Sequence, residues 1–404
     1  MKNQFFEEKL SGQYRNIPPS FVRSILNVAG NKEMISFAGG LPNPGLFPVK
    51  ELAESAQSVM QESGPTILQY AGSLGYYPLR EWIANRYRQK YNMDISPEMV
   101  VITNGSQQVL DIMAKLFLNK NDSVILEKPS YLGAIQAFSA YQPNFYEVDM
   151  EANGANLMQV EEGFLNHDIK LMYTVPNAQN PSGISYSEEK RLDLAMLLKK
   201  YNQFLLEDDP YNEICFEGDF PAPIKKHAPD NVAWTGSFSK MVAPGLRNGW
   251  VVLPPELVPH FDKAKQSTDL NPNNITQYML FHFLTHNNID DHLAKINIKY
   301  AEQCLFMQQM LKKYLPENVQ ATQPSGGMFI WLTLPGNICS DELVKRTLKK
   351  GVVFVPGNSF FTNGQGAEHI RLNFTNAGFA EIEKGIKIIA EEMEEMQKET
   401  TVIA

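Results

Sequence analysis

Cysteine is scarce: Cys215, Cys304 and Cys339 are the three in 404 residues, far apart and with no CxxC spacing. That excludes a disulfide framework and a thiolate zinc site, predicts no metal, and fits a reducing cytoplasm. Long apolar runs are missing too. No stretch approaches the roughly 18 to 20 apolar residues of a membrane span, and the N-terminal MKNQFFEEKLSGQYRN lacks the apolar centre of a signal peptide. Basic charge is in deficit: 36 Lys and Arg face 45 Asp and Glu, and the net charge of -9 repels nucleic acid and anionic membrane surfaces. Internal repeats and low-complexity linkers are absent as well, so the two or three structural units that this length predicts are expected to pack closely. What is present, 43% hydrophobic and 20% charged residues, is the composition of an ordinary packed protein rather than a disordered or fibrous one.

The first forty-odd residues read as a weak helix followed by AGGLPNPGLFP (residues 38–48), too rich in Pro and Gly for a regular element and therefore a connector or a binding segment. From about Val49 helical and strand-like stretches alternate. Val109, Ile112, Met113, Leu116 and Phe117 repeat at helical spacing, while 100–103, 124–127, 171–175, 204–207 and 232–236 are short apolar runs closed by turn residues. This pattern predicts an α/β protein with a mostly parallel sheet covered on both faces. After about Pro254 a long helical region runs to about Leu315, and mixed structure returns: apolar 328–334, a helix near 341–350, strands at 352–355 and 370–374, and a last helix. In that helix Ile382, Ile386, Ile389 and Met393 form one stripe, and the acidic run 391–395 reads as its solvated face.

Four strand ends carry candidate chemistry. Thr103-Asn104-Gly105-Ser106-Gln107-Gln108 joins a strand to a helix, which aims free backbone N–H groups and the positive end of the helix dipole at one spot: an anion site, or simply a capped turn. Gly236-Ser237-Phe238-Ser239-Lys240 follows another strand, with Arg247 seven residues beyond, and reads as a Schiff-base lysine with a depressed pKa or as a surface loop. Asp208, in Glu207-Asp208-Asp209-Pro210-Tyr211, stands at the carboxyl edge of the sheet, where it could hold a protonated ring nitrogen or cap a turn, the latter role suiting Asp209 better. Asn180, in the turn Asn177 to Gly183, could offer its amide to a ligand hydroxyl. Anion cradle, lysine, carboxylate and amide together are the set that a pyridoxal phosphate site requires.

On these motifs, together with SFAGGLPNPGLFP, LQY, KPSYLGAIQAF, QNPSG, PGLRNGW, SGGMFIW, VPGNSFF and IRLNF, the sequence resembles the class I/II aminotransferases of fold type I over essentially its whole length. It looks most like the subgroup of 2-aminoadipate (LysN-type) and kynurenine/2-aminoadipate aminotransferases. The resemblance implies a large domain with a mostly parallel seven-stranded sheet between helices, plus a smaller α+β domain. The expected division is residues 1–48 as an N-terminal segment joining the small domain and the substrate entrance, 49–285 as the large cofactor domain, and 286–404 as the small domain.

The resemblance also implies roles. Lys240 holds the cofactor on its amine and then moves the proton at the substrate Cα. Asp208 pairs with the pyridine nitrogen, Tyr211 and Asn180 meet the phenolic oxygen, and Tyr131 stacks on the ring. Ser106 and Gln107 with their backbone amides, Ser237, Ser239 and Arg247 form the phosphate cup through charge-assisted hydrogen bonds. Tyr70 matches a tyrosine that reaches the phosphate from the neighbouring subunit, which implies a homodimer. Arg371 binds the substrate carboxylate by a bidentate fork that lysine cannot reproduce, and Asn180 and the backbone of Gly40 complete that clamp.

The implied activity is transfer of the amino group of an L-amino acid (2-aminoadipate, aromatic or branched-chain) to a 2-oxo acid such as 2-oxoglutarate, by a ping-pong mechanism. A lyase on the same fold is an alternative that Arg371 argues against. A non-catalytic aminotransferase-like sensor, as in some transcriptional regulators, is another, and it would put a basic winged-helix domain first; here the cofactor-like part starts within forty residues of an acidic chain. The segment 269–277 departs from the subgroup, which leaves one pocket wall open. Ser20 and Arg23, in PPSFVRSIL, match a serine and an arginine that reach a distal substrate carboxylate. Arg23→Ala is therefore expected to lower turnover of 2-aminoadipate and glutamate while sparing leucine, and equal rates on all three before and after the change would remove the assignment.

Overall fold

The structure is a computed structural model that describes residue 6, residues 8–18 and residues 34–403; Ser20 and Arg23 lie outside the described residues. The apolar runs form strands because both sides of the sheet they enter are covered. In chain order the first nine strands are β1 (Ile35–Ser36), β2 (Val100–Thr103), β3 (Ser123–Lys128), β4 (Asn144–Glu151), β5 (Gly154–Ala155), β6 (Ile169–Thr174), β7 (Leu205–Asp208), β8 (Val232–Ser237) and β9 (Gly249–Val252). Every residue of β2, β7, β8 and β9 is buried, as expected of a sheet between two helical layers.

The large sheet runs β2-β9-β8-β7-β6-β3-β4-β5. Its centre, from β8 to β4, is parallel, whereas β9 lies antiparallel to both neighbours and β5 is a two-residue antiparallel edge. Seven of the eight strands have four residues or more, and the short β5 makes the count eight where seven were expected. Because β9 reverses direction between β8 and β2, the carboxyl ends of β2, β3, β6, β7 and β8 all reach one edge. That edge is where an open α/β sheet binds ligands.

The remaining strands are β10 (Gln320–Ala321), β11 (Phe329–Thr333), β12 (Val352–Val353), β13 (Val355–Pro356) and β14 (His369–Asn373). Four of them make an antiparallel sheet in the order β10-β11-β14-β13, and β12 pairs in parallel with β1, so the segment before residue 48 is stitched to the C-terminal part. The long helical region divides into Val258–Asp269, Asn274–His286 and Ile289–Tyr314, since Asn273 and Asn288 cap new helices with their side chains. Ile382, Ile386, Ile389 and Met393 of the helix Phe379–Ile403 are fully buried, each contributing roughly 1.5–3 kcal/mol. The acidic run is not wholly solvated, however: Glu392 turns inward and pairs with Lys350. No helix among the described residues is long and apolar enough to cross a membrane.

One ion-pair cluster ties the Asp208–Tyr211 stretch to its surroundings. Glu213 accepts from Arg86 Nε at 2.7 Å and Nη2 at 3.0 Å and from Lys90 Nζ at 2.7 Å, while Arg86 also reaches Asp290 at 2.9 Å, at the start of the helix Ile289–Tyr314. Glu213 is nearly inaccessible, and its removal leaves the half-buried Arg86 and Lys90 with only the exposed carboxylates of Asp290 and Asp219. Glu213→Ala is expected to cost about 3–5 kcal/mol in urea unfolding. Glu54→Ala, which breaks the exposed pair with Lys50, is expected to leave the midpoint nearly unchanged.

Candidate active site

The register of β9 assembles the anion cradle: Gly249 lies opposite Thr103 on one side and Ser237 on the other. Glycine is required there, because a Cβ would come within 2.9 Å of Ser106 N and 2.8 Å of the Gly105 backbone. Gly105 has φ of 83°, and a Cβ on it would stand 2.3 Å from Arg247 Nη2. Arg247 Nη2 donates to Asn104 O at 3.1 Å, which holds the guanidinium against the turn. The helix Ser106–Phe117 starts from Gly105 without any side-chain cap, so Ser106 is its first residue and not its cap. The N–H groups at its start therefore face the cradle together with the Ser237 and Ser239 hydroxyls, which hydrogen-bond each other at 2.9 Å. The Gln107 side chain is used elsewhere: it donates to Gly133 O at 3.0 Å and braces the helix Leu132–Ser139, capped by Tyr131.

Asp208 ends β7 and is 1% exposed. Its Oδ2 accepts from Tyr173 OH at 2.9 Å, and its Oδ1 has no partner. Desolvation, and then the neighbouring Asp209 and Glu127, push its carboxyl up to about 7. Asp209 is structural, satisfied by Asn177 Nδ2 at 2.8 Å and Trp234 Nε1 at 3.1 Å. Tyr131 is close enough to Asp208, Arg371 and Arg247 to feel all three, and burial carries its phenol to about 12. Burial likewise raises Tyr211, against a hydrogen bond from Asn180.

Lys240 sits in the single turn Phe238–Met241 after β8. Its Nζ donates to Gly40 O at 2.6 Å, and burial first, then the fields of Arg371 and Arg247, pull it down to about 8. An amine so poised is a nucleophile near neutral pH. Arg371, on β14 and 2% exposed, donates from Nη1 to Asn180 Oδ1 at 2.7 Å and from Nη2 to Ala38 O at 2.5 Å, while its Nε has no partner. The guanidinium lies 4.1 Å from the ring centre of Phe329 and 5.0 Å from that of Phe360. Among the described residues it forms no ion pair with a carboxylate, and burial pulls it down to about 10. A buried cation without a counter-ion is a site for an anionic ligand.

The structure thus brings together Lys240, Asp208, Tyr131, Tyr211, Asn180, Arg371, Arg247, Ser106, Gln107, Ser237, Ser239 and Gly40. Tyr70 is not among them, being 81% exposed on the chain's surface. Sequence reading missed Tyr173, the Ala38 carbonyl and Glu127. Buried Glu127 accepts from Tyr186 OH at 2.8 Å, from Thr174 and from Gln179 Nε2 at 3.0 Å, and so fixes the loop bearing Asn180. Its one sequence signal was a carboxylate inside an apolar strand. The orphaned Asp208 Oδ1 fits a ring N–H, the cradle fits a phosphate, and the Lys240 amine fits an aldehyde; these residues suit pyridoxal phosphate.

Comparison with known proteins points the same way. A family described as "Aminotransferase class I and II" matches residues 32–389. The chain is 35% identical over 401 residues to aromatic-amino-acid aminotransferase 1 of Thermococcus litoralis, covering 98% of this chain and 95% of that protein. It is 35% identical over 391 residues to the 2-aminoadipate transaminase of Thermus thermophilus, covering 96% and 97%. The crystal structure of LysN, an α-aminoadipate aminotransferase from Thermus thermophilus complexed with N-(5'-phosphopyridoxyl)-L-leucine, superposes with a TM-score of 0.91 at 34% identity, covering 97% and 99%.

The raised Asp208 carboxyl has a sign that can be checked. A carboxyl lifted from 3.8 to about 7 stabilises the folded chain fully below its ordinary pKa, and that contribution is lost as pH rises through the folded value. Asp208→Asn is expected to make the cofactor-free protein more stable than wild type at pH 8, by on the order of 3 kcal/mol, and to give no such advantage at pH 4. Thermal unfolding of both proteins at the two pH values measures it.

Proposed function

The chain belongs to the class I and II aminotransferases, enzymes that use pyridoxal phosphate, and on that premise we propose that it takes the amino group of a 2-aminoadipate, aromatic or branched-chain L-amino acid and gives it to a 2-oxo acid, 2-oxoglutarate first among them. One site serves both halves in ping-pong order. The observation that carries this reading is Arg371: buried, unmatched by any described carboxylate, and in the same site as the Lys240 amine and the free Asp208 oxygen.

The bound cofactor supplies an electron sink for the pair released when the substrate Cα–H bond breaks. Arg371 grips the α-carboxylate through its fork, and Asn180, already on Nη1, orients that grip. Lys240 takes the Cα proton and returns it, as an amine pulled down to about 8 can do near neutral pH. Asp208 Oδ1 would accept the ring N–H, while Tyr173 keeps the carboxylate in place from the other oxygen. Tyr211 and Asn180 would hold the phenolic oxygen, Tyr131 would cover the ring, and Ser106 and Gln107 through their backbone N–H groups, with Ser237, Ser239 and Arg247, would hold the phosphate. The carbonyl of Gly40 positions the Lys240 amine.

We assign Tyr70, exposed next to Leu68 and on the chain that also exposes Met60 and Tyr77, to the site of a second copy in a homodimer. Residues 1–48 group with 286–404 around the entrance, which the pairing of β1 with β12 supports, and 49–285 form the cofactor domain. Ser20 and Arg23 act on a distal substrate carboxylate, and the few, widely spaced cysteines support a cytoplasmic location.

Single amino acids added without any 2-oxo acid test the reading. 2-Aminoadipate, leucine or phenylalanine should bleach the near-visible band of the bound cofactor and release the matching 2-oxo acid in amounts equal to the enzyme. A band that no amino acid changes would sink it. Arg371→Lys is expected to lower kcat/KM by about 10- to 100-fold, chiefly through KM, because it loses hydrogen bonds to a charged carboxylate.

A further inference from the structure

The phosphate cradle is held from behind by a residue outside the catalytic set. Asp269 ends the helix Val258–Asp269, and its side chain is 16% exposed. Its Oδ2 accepts from Asn104 Nδ2 at 2.7 Å and from Gln108 Nε2 at 2.7 Å. Gln108 closes the ring by accepting from Asn104 N at 2.8 Å. Asn104 is thereby gripped twice, by Asp269 through its side chain and by Arg247 through its carbonyl. Gly105, Ser106 and Gln107 lie between Asn104 and Gln108, so the N–H groups that face the anion are set by this grip.

Charge makes the arrangement specific. A bare carboxylate so close to an anion cradle would repel the phosphate. Lys265 prevents that: its Nζ, on a fully buried side chain, donates to Asp269 Oδ1 at 2.9 Å and to Oδ2 at 3.2 Å. The pair is a neutral strut that supplies acceptors for Asn104 and Gln108 without opposing the field of Arg247. The strut also continues forward. Beyond Asp269 the chain passes through Leu270, with φ of 62°, to the helix Asn274–His286, whose Asn274 donates to Gln69 O at 3.2 Å and whose Gln277 accepts from Tyr76 N at 2.8 Å. One connected scaffold therefore runs from the cradle to the stretch that bears Tyr70.

We infer that Asp269, neutralised by Lys265, is the positioning residue of the phosphate grip, acting on the cofactor through Asn104 and Gln108 without touching it. This rests on the assignment of the cradle to the cofactor phosphate. The test compares binding of pyridoxal phosphate, of pyridoxal, which lacks the phosphate, and of inorganic phosphate alone to cofactor-free wild type, Asp269→Asn, Lys265→Met, Gln108→Leu and the double variant of the charged pair. Asp269→Asn and Gln108→Leu should weaken pyridoxal phosphate and inorganic phosphate about tenfold or more and leave pyridoxal within about twofold, the loss of one or two charge-assisted hydrogen bonds. Lys265→Met should weaken both phosphate ligands further at low salt than at high salt, and adding Asp269→Asn to it should remove that salt dependence. Equal losses for pyridoxal and pyridoxal phosphate, or no loss in either, would overturn the inference, and Gln108→Leu decides it if Asp269→Asn does not fold. A wild type that binds pyridoxal as tightly as pyridoxal phosphate would overturn the cradle assignment instead.

Discussion

Gly249 faces Thr103 on one side and Ser237 on the other, and the chemistry of this molecule depends on that double pairing. Since β9 runs against both neighbours, the turn after β2 and the turn after β8 emerge at the same edge, one bringing the start of the helix Ser106–Phe117 and the other bringing Lys240. Arg247 precedes Gly249 by two residues, so the same strand carries the guanidinium into the gap between them. The close approach admits no Cβ at Gly105 or Gly249. One short antiparallel strand in an otherwise parallel region thus sets cradle, cation and lysine in register.

The groups brought to that edge are held in states that water would not favour. Asp208 and Glu127 are carried up to about 7, Lys240 down to about 8 and Arg371 down to about 10, with burial the leading cause in each case. Above neutral pH none of these displacements helps the cofactor-free chain to fold. The core must carry their cost, and it can, because the helix Tyr77–Tyr91 packs Tyr87 against Trp234 and Trp250, all essentially inaccessible, on the back of the same strands. A ligand that presents a ring N–H to Asp208 and an aldehyde to Lys240 would relieve two of these four strains, and binding to the folded form alone would then add to stability.

Much of this was legible in the sequence where a motif is local. Lys240, Asp208, Asn180 and the turn at Gly105 each follow an apolar run by a few residues, so strand, turn and functional group are read together. What was not legible depends on neighbours that only the fold supplies. Tyr173 meets Asp208 across two strands, Ala38 meets Arg371 from the other end of the chain, and Asp269 meets Asn104 from a helix more than a hundred residues on. β9 hid because it is four residues long and opens on a glycine, and β4 because a strand one place from the edge with a single buried residue lacks a continuous apolar run. Glu392 broke the expected solvated face for the same reason: its partner, Lys350, sits at the end of a different helix.

The loop at residues 38–40 explains how two buried cations, Arg371 and Lys240, can stand in one site. Arg371 comes from the small antiparallel sheet and Lys240 from the large one, yet Arg371 rests on the carbonyl of Ala38 and Lys240 on that of Gly40. The loop is fixed by its own neighbours, since Phe37 N donates to Val353 O at 2.8 Å and Asn373 N donates to Phe37 O at 2.9 Å. A carbonyl offers a dipole and not a charge, so each cation is satisfied geometrically while its field remains largely uncancelled. The field of Arg371 then depresses Lys240, after burial the largest influence on that amine. A carboxylate arriving at Arg371 would neutralise that field and lift the lysine, so anion binding at the one group and the basicity of the other are coupled through space.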